Sequence, residues 1–75
     1  MRLRDEAIAD LVRCRLAEDD RISGLPIDVF VDNSDVYVRG VVDSEQQRKT
    51  LELIISGLAG VHDVILDRVL VRFQR

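Results

Sequence analysis

The strongest pattern in the chain is the alternation of apolar and polar side chains along residues 27–32 and 36–42. Successive side chains of an extended strand point to opposite faces, so both stretches are predicted to be strands with one buried face. The Asn33-Ser34 pair between them predicts a tight turn and therefore a hairpin. The face predicted to be buried carries Ile27, Val29, Val31, Val36, Val38, Gly40 and Val42.

The length of the turn fixes which residues of the two strands lie opposite each other. A loop of two residues and a loop of four residues give the same register, in which apolar side chains meet apolar ones. A glycine inside a strand is unfavourable, so Gly40 predicts that another backbone or a helix approaches too closely for a β-carbon. The predicted pairs are Ile27 with Gly40, Asp28 with Arg39, Val29 with Val38, Phe30 with Tyr37, and Val31 with Val36.

An amphipathic first helix is predicted over residues 5–20. Its apolar side chains recur at helical spacing, no Gly or Pro interrupts it, and Asp5 is available as its N-cap. Its polar face mixes both signs of charge, which is typical of a solvated surface. Cys14 lies near the edge of the apolar stripe and is interpreted as a half-buried small hydrophobe. The stripe consists of Ile8, Leu11, Val12 and Leu16.

A second helix is predicted to begin at Ser44. Ser44 and Gln47 have the spacing of a capping box, in which each side chain satisfies a backbone amide of the other residue. Either Gly57 or Gly60 is expected to end the helix. Its predicted buried stripe is Leu51, Ile54, Ile55 and Leu58.

The last segment, residues 61–73, contains a strand with two conflicting phases of alternation. Val64 and Leu66 follow one phase, and the residues from Val69 to Phe73 follow the other, so a bulge is predicted at Asp67-Arg68. The order of elements predicts an α+β two-layer sandwich, αββαβ, with two helices on one face of a three-stranded mixed sheet. The last strand should return parallel to the strand before the second helix.

These features together resemble the BON domain, a family named for an osmotically inducible bacterial protein and for nodulation proteins. The matching residues are Val36-x-Val38-x-Gly40-x-Val42, then Ser44, and then Gly60-Val61-x-x-Val64. Gly40, Ser44 and Gly60 are therefore expected to be structural. The family commonly has an Asn-Gly turn where this chain has Asn33-Ser34, and the last strand here is one residue longer. The resemblance implies a non-catalytic role in attachment to phospholipid surfaces or to other macromolecules.

Composition narrows the function further. Seventy-five residues predict a single domain over residues 1–75 that is too small for a deep catalytic cleft. The net charge of −3 argues against a nucleic-acid partner. One cysteine cannot form an internal disulfide, and no apolar run has the length of a signal peptide or a membrane span, so a cytoplasmic location is expected.

No catalytic motif is recognisable in the sequence. His62 and Cys14 are far apart, and His62 is interpreted as a solvated turn residue. The oxygen-rich turn at residues 32–35 does not have the spacing of a calcium loop. The chain is therefore expected not to be an enzyme and to need no metal or other cofactor.

Two binding surfaces are candidates. The outer face of the hairpin would expose Phe30, Tyr37, Arg39 and Val41, a surface suited to another protein or to a second copy of the chain. Alternatively, four arginines around the first helix could face an anionic phospholipid surface, although acidic residues lie among them. Those arginines are Arg2, Arg4, Arg13 and Arg15.

Overall fold

The predicted αββαβ architecture is confirmed. The computed structural model describes residues 3–72. Its elements are α1 (Leu3–Glu18), β1 (Ile27–Asp32), β2 (Asp35–Val42), α2 (Glu45–Ser56) and β3 (Asp63–Val71). The sheet order is β1-β2-β3, with β1 antiparallel and β3 parallel to β2. The hairpin has the predicted register at all five predicted pairs.

One face of the sheet packs against both helices and forms the core. Val36, Val38 and Val42 of β2 are 0–2% exposed, and each buried side chain of this size contributes about 1.5–3 kcal/mol to folding. Their neighbours on the other face, Phe30 and Tyr37, are exposed. The rest of the buried core is Ile8, Ala9, Val12, Leu16, Ile22, Val31, Leu51, Ile55, Leu66 and Val69.

The close approach predicted at Gly40 comes from backbone rather than from a helix. Gly40 has a φ of +147°, and a β-carbon there would overlap the carbonyl oxygen of Pro26 and lie 2.9 Å from the Cα of Ile27. The same carbonyl accepts a 3.2 Å hydrogen bond from the amide of Val41. Because glycine has no side chain, the start of β1 can approach β2 to hydrogen-bonding distance at this position.

The hairpin turn is held by a helix side chain that the sequence analysis assigned to another role. Asn33 and Ser34 have φ of 54° and 70°, as in a type I′ turn. The carboxylate of Asp5 accepts hydrogen bonds from both of their backbone amides, at 2.9 and 3.0 Å. The prediction that Asp5 caps the first helix is therefore wrong. Because α1 begins at Leu3, Asp5 lies inside its first turn and is buried against the hairpin.

A bulge in β3 explains its two phases of alternation. Tyr37 pairs with Ile65 and Arg39 with Arg68, so two residues of β3, Leu66 and Asp67, lie opposite the single residue between them on β2. The bulge is therefore present one residue earlier than predicted. It turns both Leu66 and Val69 toward the helices, where both are buried. Phe73, which the sequence analysis included in this strand, lies outside the described residues.

The ends of α2 differ slightly from the prediction. The Ser44 hydroxyl accepts from the amide of Gln47 at 3.3 Å, as expected of an N-cap. The Gln47 side chain accepts from the amide of Asp43, one residue before the amide that a capping box predicts. The helix ends at Ser56 with Gly57 as its C-cap, and Gly60 lies in the following turn against Ile8.

The interpretation of Cys14 as half-buried is wrong, because its side chain is exposed. Residues of an α-helix are separated by about 100° around its axis, so Cys14 points about 160° away from Val12 and about 160° away from Leu16, both of which are buried. The apolar stripe of α1 therefore excludes it.

Candidate functional site

The sheet face turned away from the helices is called the outer face below. Paired residues of neighbouring strands place their side chains on the same face, so the strand register sorts the outer side chains into rows across the sheet. From the turn end, these are an acidic row (Asp32, Asp35, Asp63), an aromatic row (Phe30, Tyr37, Ile65), an arginine row (Asp28, Arg39, Arg68) and an apolar pair (Val41, Leu70).

The aromatic row carries two exposed rings. The Phe30 and Tyr37 rings are tilted by 44° with centroids 6.0 Å apart, and their residues are 63% and 39% exposed. Among residues 3–72, large exposed apolar side chains also occur at Leu70 and at Leu53 on α2. Three of these four residues therefore lie on the outer face, which the helices do not cover.

The arginine row lies beside a shallow groove of about 660 Å³. Arg39 is paired with Asp28 across the hairpin at 3.7 Å, as the register predicts, but both side chains are largely exposed. Such a pair contributes little to stability and leaves the guanidinium accessible. Arg13 reaches the groove from α1 and donates to the carbonyl oxygen of Val29 at 3.3 Å. The groove thus combines three arginines with the two aromatic rings.

At the acidic row, His62 has partners that the sequence analysis did not foresee. Its Nδ1 lies 2.8 Å from Oδ1 of Asp35, and its backbone amide donates to the carbonyl oxygen of Ser34 at 2.8 Å. The hydrogen bond to the Asp35 carboxylate raises the pKa of His62, and the negative charges of Asp35 and Asp63 add to the effect. The parallel pairing of β2 with β3 brings these groups together.

The His62 pair should make stability depend on pH. A histidine whose pKa is raised by folding stabilises the native state fully below its unfolded pKa of about 6.5, and this contribution disappears as pH rises through the folded value. We therefore expect wild type to exceed His62→Gln in unfolding free energy near pH 6, with the gap closing as the pH rises through the raised pKa of the folded state. Urea titrations of both proteins measure this gap. In Asp35→Asn the histidine pKa, followed by NMR, should fall; an unchanged value would contradict the assignment.

The structure separates the arginines proposed to face a lipid surface. Arg4, Arg13 and Arg15 are exposed on α1. At about 100° per residue, Arg4 and Arg15 lie about 20° apart around the helix axis, whereas Arg13 lies about 160° or more from both. Arg13 is also paired with Asp10 at 3.3 Å. Arg2 lies outside the described residues. Of the other three arginines, Arg13 therefore does not share the face on which Arg4 and Arg15 lie.

The sequence analysis missed the contribution of β3 to the outer face. Ile65, Arg68 and Leu70 extend the rows begun by Tyr37, Arg39 and Val41. The conflicting alternation of β3 was the available signal, since a bulge before Arg68 predicts the phase that turns Arg68 and Leu70 outward.

Within residues 3–72, no three His, Cys, Asp or Glu side chains converge in a way that could hold a metal ion. Neither helix described there has the length and apolar character needed to cross a bilayer.

Comparison with known families agrees with this geometry. The sequence model of the BON domain matches residues 4–72, nearly the whole chain. The chain belongs to the BON domain family. None of the curated proteins compared with it matches. BON domains are binding modules rather than enzymes, which fits a chain whose most conspicuous surface is an uncovered sheet face.

Proposed function

We propose that this BON domain is a non-enzymatic module that binds another protein through the outer face. The observation that carries the proposal is the exposure of the aromatic row on the one sheet face that neither helix covers. Exposed apolar groups gain most from association when they are contiguous, and strand pairing makes Phe30, Tyr37 and Ile65 contiguous.

The composition of the outer face favours a protein partner. Aromatic side chains and arginine are enriched in the centres of protein interfaces, where they supply most of the binding energy. Here an aromatic row adjoins an arginine row, and an apolar pair follows at Val41 and Leu70. A partner could therefore bury apolar area at both the aromatic row and the apolar pair, while the charged groups between them fix its orientation.

Photo-crosslinking in the native host tests the proposal. A photoreactive phenylalanine analogue at position 30 should form an adduct that contains a second polypeptide, because that side chain lies in the contact. The same analogue at position 53 is the matched control, since Leu53 is 73% exposed but lies on α2. Absence of a polypeptide adduct at position 30, or equal adducts at both positions, would contradict the proposal.

Attachment to anionic phospholipid is the second candidate. It is supported by the family resemblance and by the groove where Arg13, Arg39 and Arg68 adjoin the aromatic rings. Each arginine near an anionic surface contributes about 1 kcal/mol to attachment. The α1 arginines Arg4 and Arg15, with Arg2, offer a separate route to the same surface.

Vesicle co-sedimentation distinguishes these routes. If the protein-contact proposal is correct, vesicles of phosphatidylserine and phosphatidylcholine should not retain the protein even at low salt. Salt-sensitive retention that is lost in Arg39→Ala plus Arg68→Ala would favour lipid attachment through the groove. Loss only in Arg4→Ala plus Arg15→Ala would favour attachment through α1.

A further inference from the structure

The charged rows of the outer face are complementary to each other across the aromatic row. The acidic row carries three carboxylates, and the arginine row on the other side carries two guanidinium groups and one carboxylate. We propose that the partner is a second copy of this chain, packed outer face to outer face about a two-fold axis that runs along the aromatic row. This inference rests on the proposed function and names its partner.

The strand geometry determines which residues would meet. Neighbouring rows are two residues apart along β1 and β2, or about 6.6 Å, and the bulge in β3 keeps Arg68 beside Arg39, so the acidic and arginine rows lie equally far from the aromatic row. A two-fold axis along the aromatic row exchanges them. Asp35 then lies opposite Arg39 of the second copy, and Asp63 lies opposite Arg68 of the second copy.

The charges select this axis over the other two-fold that would pack the same faces. A two-fold axis parallel to the strands would place each row opposite the same row of the second copy, with Asp35 near Asp35 and Arg39 near Arg39. Like charges in an interface are strongly unfavourable. The axis along the aromatic row places Asp35 and Asp63 opposite arginines. The axis parallel to the strands places opposite charges together only at Asp28 and Arg68, and like charges meet in the rest of both charged rows.

The size of the face predicts a modest affinity. Three strands are about 14 Å wide and the eight residues of β2 are about 26 Å long, a footprint of about 360 Å² per copy, or about half of a standard interface. We therefore expect a weak, rapidly reversible dimer with a dissociation constant in the high-micromolar range. The measurement must extend well above that range.

Sedimentation velocity from about 1 µM to about 1 mM protein tests the inference. Asp63→Arg and Arg68→Asp should each weaken the dimer at least about tenfold, because each places like charges opposite one another. The double variant exchanges the two charges, keeps the net charge of the wild type, and should regain most of the affinity. Far-UV circular dichroism confirms that each variant is folded.

Two conservative variants of the acidic row provide a matched pair. The proposed axis places Asp63 opposite Arg68 but Asp32 opposite Asp28 of the second copy. Asp63→Asn should therefore weaken the dimer, whereas Asp32→Asn should leave it unchanged or tighten it. Equal effects of the two substitutions would indicate a response to net charge alone and would overturn the proposed axis.

A wild type that stays monomeric over the whole concentration range would overturn the inference, as would a double variant no tighter than either single variant. Neither result would remove the proposed function. A crosslink from position 30 to a different polypeptide would show that the outer face binds a protein other than its own copy.

Discussion

Replacing Gly40 with alanine is expected to remove most of the stability of the protein. The new β-carbon would overlap the carbonyl oxygen of Pro26 and lie 2.9 Å from the Cα of Ile27, and the φ of +147° is strained for any other residue. Since the obstacles are backbone atoms of the neighbouring strand, relief requires moving β1 away from β2. We expect a loss of roughly 4 kcal/mol or more, which approaches the total stability of about 5 kcal/mol at the low end for small domains.

Alanine substitutions at two other glycines distinguish the effect of the clash at Gly40 from a general effect of replacing glycine with alanine. At Gly24 the φ of +91° is strained but nothing lies within 4 Å of a β-carbon, so Gly24→Ala should cost only about 1–2 kcal/mol. At Gly57 the backbone is helical and the nearest atom is 3.4 Å away, so Gly57→Ala should change stability by less than about 1 kcal/mol. Urea unfolding followed by circular dichroism ranks the three variants. A Gly40→Ala protein as stable as Gly24→Ala would contradict the close-packing account.

Removing the Asp5 carboxylate should have the second largest effect. Asp5→Ala leaves the amides of Asn33 and Ser34 without this acceptor in a partly buried turn. Hydrogen bonds to a charged group contribute about 1.5–3 kcal/mol each, so we expect a loss of about 3 kcal/mol or more in unfolding free energy. Asp5→Asn retains one carbonyl acceptor and should lose less.

Asp10→Ala is the control for Asp5→Ala, because Asp10 is an exposed acid of the same helix paired with Arg13. Its loss should cost less than about 1 kcal/mol. Chemical denaturation of the three variants gives the comparison. Equal losses at positions 5 and 10 would mean that the carboxylate does not hold the turn.

The hairpin was predictable because two independent signals agree. Alternation assigns Val29 and Val38 to the buried face, and the short turn pairs them in the same register that joins Phe30 to Tyr37. Exposure of the aromatic pair follows from that register alone, since a strand that buries one set of side chains must turn the other set outward.

The remaining features depend on contacts between distant parts of the chain. Asp5 resembles an N-cap in sequence, and its role at the turn becomes visible only when α1 is placed over residues 33 and 34. Similarly, His62 acquires its carboxylate partner only because β3 returns parallel to β2. The bulge at Leu66 and Asp67 likewise decides which side chains of β3 join the outer face.

Hydroxyl-radical footprinting of Phe30 and Tyr37 tests the central claim most directly. The purified protein at low concentration is compared with the same protein inside cells of the native host, and Leu53 serves as the exposed reference on α2. We predict that both rings are oxidised readily in dilute solution and protected in cells, while Leu53 reacts equally in both. Protection of the rings in dilute protein would mean that they lie beneath the helices, and equal oxidation in both settings would mean that nothing binds the outer face.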